Sequence, residues 1–212
     1  MSESQRRAEA NRLEELWGGQ FGDEYVERNA RAAERRAAFW QGICSEFPVQ
    51  RVLEVGCNLG ANLKWISQSI KPQNTFGVDI NQKALERLHA HLPNVNAILT
   101  PARELPFRDS WFDMVFTMGV LIHQPESTLP LVMSEIVRCS RRYVLCGEYY
   151  SDTTTEVPYR EQRGALFKRD YGRIYQELFP DLRLLKQGFL GSDEGWDDVT
   201  FWVFEKTFQI ER

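Results

Sequence analysis

Two carboxylates and a glycine turn in this chain have the spacing to hold a nucleoside. Arg51-Val-Leu-Glu-Val-Gly-Cys-Asn-Leu-Gly-Ala-Asn62 is a short apolar run, a tight turn with glycine at 56 and 60, and the start of a helix. Gly56 permits a backbone geometry that other residues resist, and Gly60 is expected to let a ligand approach the helix start. Asp79 lies 23 residues after Gly56, closing a second apolar run, Phe76-Gly-Val-Asp-Ile80. A carboxylate at that distance can accept the hydroxyls of a ribose, with Ile80 beside it.

The turn also narrows the nucleoside. A dinucleotide fingerprint places glycine at its first, third and sixth positions so that the backbone can touch a pyrophosphate. Those positions here hold Gly56, Asn58 and Ala61, and the turn contains no lysine or arginine. A phosphate-binding loop of the Walker type is absent as well. S-adenosylmethionine carries adenosine without phosphate, and its ammonium would suit the acid of Glu54. The stretch from Glu54 to Gly60 resembles the first motif of class I S-adenosylmethionine-dependent methyltransferases, with Asn58 in place of the usual middle glycine.

A second set of groups stands where an acceptor would bind. Thr117-Met-Gly-Val-Leu-Ile-His123 ends one strand and Glu148-Tyr-Tyr150 ends another, and such ends line the crevice of open α/β sheets. Met118 and Gly119 are expected beside the methionine half of the donor, with Thr117 among the groups that bind it. Glu148 and His123 are the strand-end candidates for a base, and Tyr149 or Tyr150 would orient an amine or hydroxyl. Tyr25, Tyr159, Arg160 and Lys168 complete the expected acceptor pocket. Arg160, Lys168 and Arg169 favour an anionic sugar acid or nucleotide sugar; Glu148, Asp152 and Glu156 favour an amine or guanidine. In methyltransferases an acid after the third strand commonly holds the adenine amine. Thr100-Pro-Ala102 stands there, leaving the backbone of Ala102 to meet the adenine edge and Arg103 to stack nearby.

The elements that must position these groups follow from periodicity. Val52, Leu53 and Val55 read as a parallel strand covered on both faces. Further strands are expected at 76–80, 95–99, 112–117, 143–148, 182–189 and 199–205. Helices carry Leu63, Ile66 and Ile70; then Ala84, Leu85 and Leu88 behind an Asn81 cap; and Leu129, Val132, Met133, Ile136 and Val137 behind Pro125 and Glu126. Lys168-Arg-Asp-Tyr171 leads into another helix. His89 and His91 read as surface residues at a helix end. Near the N-terminus, Leu13, Leu16 and Trp17 recur at helical spacing, and Ala33, Ala37 and Trp40 share a face of a helix over 29–45. Between them Gly18, Gly19 and Gly22 sit among Trp17, Phe21 and Tyr25, which suits a lid that closes over a ligand.

The totals fit this picture. At 212 residues, 42% hydrophobic and 26% charged, the chain is an ordinary globular domain with a sizeable core. A net charge of −4 offers no general attraction to nucleic acid. No apolar run approaches a membrane span, and the N-terminus is too charged for a secretory signal. The four cysteines form no CxxC pair, so reduced thiols, a cytoplasmic setting and no metal are expected.

Several stretches together resemble the small bacterial methylases associated with pseudaminic acid biosynthesis. They are Phe21-Gly-Asp-Glu-Tyr25 with Asn29, Leu53-Glu-Val-Gly-Cys-Asn58, Gly119-Val-Leu-Ile-His123, Arg138-Cys-Ser-Arg141, Glu148-Tyr-Tyr150, Pro158-Tyr-Arg160 and Leu166-Phe-Lys-Arg-Asp170. Glu161 stands where that family would place glycine. The resemblance implies an α/β Rossmann-like, seven-stranded, mostly parallel sheet with an antiparallel last strand, helices on both faces and an N-terminal helical lid. It divides the chain into a cap over 1–45 and a methyltransferase unit over 46–212. It also implies S-adenosylmethionine as donor; a small polar metabolite is the expected acceptor, no nucleic-acid or membrane partner is expected, and a homodimer is allowed. The competing readings are a nicotinamide-dependent oxidoreductase, which Asn58 disfavours, and a nucleoside-binding module without catalysis.

Overall fold

The structure, a computed structural model, describes residues 2–28 and 35–207. The expected start of the third helix, with Ala33 and the motif residue Asn29, lies outside the described residues.

The buried runs become strands β1 (Val52–Val55), β2 (Thr75–Asp79), β3 (Asn96–Leu99), β4 (Phe112–Met118) and β5 (Ser140–Glu148). After a short hairpin, β6 (Thr155–Glu156) and β7 (Phe167–Lys168), the chain adds β8 (Leu182–Leu190) and β9 (Val199–Lys206). Seven of these form one sheet in the order β3-β2-β1-β4-β5-β9-β8. β1, β2, β3, β4 and β5 pair in parallel, and β9 runs antiparallel to both neighbours. The chain order reverses direction between β1 and β4. At such a switch point two strand ends diverge and leave a crevice above the sheet.

The expected fold is borne out, and the reason lies in the side-chain alternation. In β9, Trp202 and Phe204 enter one core layer while Phe201 and Val203 enter the other. The first layer is roofed by α6 (Leu129–Cys139) and α7 (Tyr171–Leu178), through Val132, Met133, Ile136, Tyr171 and Tyr175. The second is roofed by α3 (Ala37–Glu46), α4 (Leu63–Ser69) and α5 (Gln82–His91), through Trp40, Ile43, Leu63, Ile66, Leu85 and Leu88. α3, read with the cap on sequence, thus packs into the sheet.

Local chemistry sets the helix starts. The Asn81 side chain accepts from Ala84 N at 2.8 Å to cap α5, and Asp170 accepts from Arg173 N at 2.9 Å to cap α7. α6 starts at Leu129, later than Pro125, because a 3₁₀ turn over Leu121–His123 and a further turn take up the intervening chain.

The N-terminal helices α1 (Glu3–Gly18) and α2 (Gln20–Arg28) form a lid over the crevice. Of the three glycines expected to break the helix, only the Gly19 position does so. Gly22 lies within α2, where a Cβ would overlap the carbonyl oxygen of Trp17, so it serves close packing of α2 on α1. No helix among the described residues is long and apolar enough to cross a membrane.

Candidate active site

One cavity lies above the switch point, between the ends of β1, β2 and β4 and the lid. Its floor is the turn after β1. Gly56 has φ 75°, and Val120 packs where its Cβ would be. Asn58 also lies in the left-handed region, φ 45°, which asparagine tolerates better than most side chains. Asn58 therefore keeps the backbone course that glycine would give, and its Oδ1 is buried without a partner among the described residues. Gly60 serves differently from expectation. It does not line the cavity; a Cβ there would press within 3.0 Å of Leu88 and Leu92, so it fits the turn against α5.

Both expected carboxylates face the cavity. Asp79 accepts from Asn58 N at 2.7 Å through Oδ2 and from Asn81 N at 2.9 Å through Oδ1, leaving further lone pairs on each oxygen. Burial raises its pKa, and these two N–H groups oppose that rise. Glu54 is 2% exposed and accepts from Asn62 Nδ2 at 2.6 Å through Oε1. Its Oε2 is buried with no hydrogen-bond partner among the described residues. Burial lifts Glu54 to about 8, against the pull of Asn62 and Arg36.

Sequence reasoning assigned no role to the group that orients Glu54. Asn62 Oδ1 accepts from Arg36 Nη1 and from Trp40 Nε1, both at 3.2 Å. Arg36 in turn donates to Gly195 O at 3.0 Å and lies 4.1 Å over the Trp196 ring. No local pattern marks this relay, because its members are joined only by folding.

Ile80, Ala102 and Met118 line the cavity as expected, together with Thr100 and Arg103. Arg103 is not free to stack on a ligand. Its Nε lies 2.7 Å from Glu14 Oε1, and its Nη2 donates to Glu14 Oε2 at 3.0 Å, which ties this end of the cavity to α1. Asn81, expected only as a cap, ties the other end. It donates to Trp17 O at 3.2 Å and to Asp23 Oδ1 at 2.9 Å.

Trp17 is the centre of an aromatic cluster on the lid side. Its ring contacts Phe21 (5.3 Å between centroids), Tyr25 (5.4 Å), His123 (4.2 Å) and Tyr159 (6.3 Å). Tyr25 and His123 line the cavity; Tyr159 packs behind them. Tyr25 is raised to about 12, chiefly by burial and then by neighbouring Tyr159. His123 Nδ1 lies 2.6 Å from the carbonyl oxygen of Ala165. A carbonyl only accepts, so the proton is on Nδ1 and the lone pair on Nε2. Burial lowers His123 to about 4, so the ring is neutral at physiological pH and a weak general base.

Other expected site residues stand elsewhere. Glu148 is fully buried below the cavity, and its carboxylate accepts from Val120 N and Ile122 N, each at 3.2 Å. It cannot reach an acceptor, which corrects its reading as the base. Thr117 is likewise fully buried in β4 and does not line the cavity. Tyr150 is 41% exposed, bonds to Asp152 and packs on Trp202, so it does not face the site. Tyr149 is half-buried, outside the cavity, with Lys168 Nζ 5.7 Å from its ring. Arg160 and Lys168 are exposed, while the adjacent Arg169 is buried and donates to Gln124 O at 3.0 Å. Lys168 is the last residue of β7, and the side chain just past it, Arg169, is the one that turns inward.

Comparison with known proteins agrees with this geometry. Residues 52–142 match the model of a family described as a methyltransferase domain. Phthiotriol/phenolphthiotriol dimycocerosates methyltransferase 1 of Mycobacterium ulcerans is 30% identical over 99 residues, 45% of this chain and 35% of that protein. The fatty-acid O-methyltransferase of Mycolicibacterium smegmatis is 30% identical over 71 residues, 32% of this chain and 26% of that protein. The chain spans about a third or less of the length of these relatives. Among solved structures, the 1,6-didemethyltoxoflavin-N1-methyltransferase of Burkholderia thailandensis, bound to 1,6-didemethyltoxoflavin and S-adenosylhomocysteine, superposes with a TM-score of 0.71 at 15% identity, over 98% of this chain and 92% of that one. The magnesium protoporphyrin IX methyltransferase of Synechocystis, with bound S-adenosylmethionine, gives 0.69 at 11% identity, over 93% and 97%. By sequence, residues 52–142 therefore match a methyltransferase domain, and by structure the described chain carries a fold shared with methyltransferases.

Proposed function

We propose that this chain transfers a methyl group from S-adenosylmethionine to a small polar metabolite. The observation that carries the reading is Glu54 Oε2, a buried carboxylate oxygen on the cavity floor without a partner among the described residues. Such an orphan is costly unless a ligand supplies the missing donor. The ammonium of an amino-acid moiety supplies it, and Asp79, lining the same cavity with spare lone pairs, suits ribose hydroxyls. The backbone at Ala102 and the side chain of Thr100 offer polar groups to an adenine edge, and Met118 flanks the methionine half. Two of the solved relatives hold this donor or its demethylated product, which supports the same assignment.

When bound, S-adenosylmethionine supplies the activated methyl group. The chain must align an acceptor lone pair and keep water out. Trp17, Tyr25 and Tyr159 close the lid side, and neutral His123 offers Nε2 as a hydrogen-bond acceptor to an incoming hydroxyl or amine. With His123 so weak a base, positioning outweighs proton removal. The resemblance to methylases associated with pseudaminic acid biosynthesis supports a sugar acid or nucleotide sugar as acceptor. Exposed Arg160 and Lys168 would then meet a charged end that extends beyond the cavity. An amine- or guanidine-bearing amino-acid derivative is the other acceptor class.

Calorimetry of the purified chain with S-adenosylhomocysteine and with NAD tests the donor. Binding of the first alone is expected; tighter binding of NAD would overturn the reading. The acceptor is sought by adding enzyme and methyl-labelled donor to small-molecule extract of the producing cell. A metabolite that gains a labelled methyl is expected.

A further inference from the structure

Glu148 has 0% exposure, and no cation pairs with its carboxylate among the described residues. Around it lie Cys146 of its own strand and Tyr171 and Tyr175 of α7, and burial raises its pKa to about 7. The guanidinium of Arg169 is bonded to Tyr171 Oη at 3.2 Å and to Gln124 O instead. Holding a carboxylate there is unfavourable, and a fold that needed only to fill the space would do better with an apolar or amide side chain.

What the carboxylate does is accept. Oε1 takes Val120 N and Oε2 takes Ile122 N, two backbone donors from the segment that leaves β4. That segment begins with Gly119 at φ 71° and closes as a 3₁₀ turn, with His123 N bonded to Val120 O and Gln124 N to Leu121 O. It delivers Val120 against Gly56 and His123 against Trp17 and Ala165 O. Of the common side chains, only an ionised carboxylate presents two oxygens that accept and none that donates. A glutamine there would turn an N–H toward one of the two backbone N–H groups and leave it unpaired.

We propose that Glu148 is a positioning residue, whose two oxygens hold the Gly119–Gln124 segment in the course that places Val120 on the cavity floor and His123 at its wall. The inference deepens the methyl-transfer reading, since it says what aligns the acceptor side of that cavity.

Hydrogen–deuterium exchange of the full chain, with Glu148→Gln beside the unmodified protein, tests it. Exchange of the peptide over 119–124 is expected to accelerate at least tenfold in Glu148→Gln while β4 and β9 keep their protection. The His123 ring resonances, separable from those of exposed His89 and His91, are expected to shift. Unchanged protection over 119–124 would overturn the proposal. Equal loss across β4 and β9 would overturn it too, because Glu148 would then be a general fold residue. Should Glu148→Gln fail to fold, amide exchange in the unmodified chain decides: Val120 and Ile122 must exchange as slowly as β4 amides, and fast exchange overturns the idea. If the unmodified chain fails to bind S-adenosylhomocysteine, the donor reading falls, while the exchange comparison still decides the role of Glu148.

Discussion

Glu54 and Asp79 stand on two adjacent parallel strands, and the groups that hold Asp79 come from the turns that follow those strands. Trp17, His123 and Tyr159 come from three distant segments and are held mainly by one another. The first arrangement is a rigid product of sheet geometry, buried and bonded to backbone. The second is an assembly of aromatic faces, closed by a lid tied to the body by side-chain bonds: Glu14 and Asn11 to Arg103, Glu9 to Ser127, Asn81 to Trp17 and Asp23, Glu27 to Lys83 and Arg87, and Arg12 to the carbonyls of Arg163 and Gly164. One fold thus offers a floor built by the sheet for the proposed donor and a separately assembled wall for the proposed acceptor.

The comparison breaks first at Asp79. Asp79→Ala removes the acceptor proposed for the ribose and also unpairs Asn58 N and Asn81 N. Binding of S-adenosylhomocysteine is expected to weaken by about 3 kcal/mol, roughly a hundredfold, by calorimetry. Tyr159→Ala, on the other wall, is expected to leave that affinity within about threefold. Equal losses would show that the two halves are not separable.

Glu54 sharpens the same contrast through pH. Its carboxyl is pushed up to about 8, so at neutral pH the ligand-free site holds mostly the protonated form. A cationic ammonium favours the ionised form, so binding releases a proton. Affinity for S-adenosylhomocysteine should rise about tenfold from pH 6.5 to 8.5, with proton release visible as calorimetric heats that depend on the buffer. The ligand-free fold behaves in the opposite sense. Glu54 and Glu148 both have folded pKa values above those of an unfolded chain, so their contribution is fully present below about pH 4.5 and is lost as the pH rises through 7 to 8. A pH-independent affinity would remove Glu54 from the ammonium site.

How much of this was legible follows the same division. The places of the strands along the chain, the buried faces of α4, α5 and α6, and the carboxylates at 54 and 79 are local patterns, because a strand covered on both faces and a turn with glycine leave their mark within a dozen residues. Asn62 and Arg36 left none: their roles depend on which side chains meet after folding. Glu148 shows how a correct local reading misleads. It does end a strand at the right edge of the sheet, yet its carboxylate turns under the segment that leaves β4. Arg160 and Lys168 were read as neighbours of the site by their chemistry, and the β6–β7 hairpin leaves both exposed.

Asn81 tests how the halves are joined. Asn81→Asp keeps an oxygen to cap α5 but loses the donations to Trp17 O and Asp23, and sets a negative charge near Asp23 and Asp79. The lid should loosen by about 1–2 kcal/mol, read as several-fold faster proteolytic cleavage within residues 17–28. An unchanged cleavage rate would mean that the aromatic cluster and the lid's other ties, Glu14–Arg103, Glu9–Ser127 and Glu27 with Lys83 and Arg87, hold it without Asn81.

The smallest expected effect concerns the hairpin that carries Tyr159. Tyr159 and Gln162 exchange backbone bonds across a two-residue turn, with Arg160 at φ 47° and Glu161 at φ 67°. Both are left-handed conformations, in which a side chain beyond Cβ is disfavoured and glycine is not. Glu161 is exposed, so its side chain supplies little packing to offset that strain. Glu161→Gly is therefore expected to stabilise the chain by about 0.5–1 kcal/mol, the residue's relief from strain less the added freedom of the unfolded backbone. Thermal unfolding should shift upward by about 1–4 °C, with binding of S-adenosylhomocysteine unaltered. A downward shift would show that the Glu161 side chain holds the hairpin in place, and would assign it to the acceptor wall alongside Tyr159.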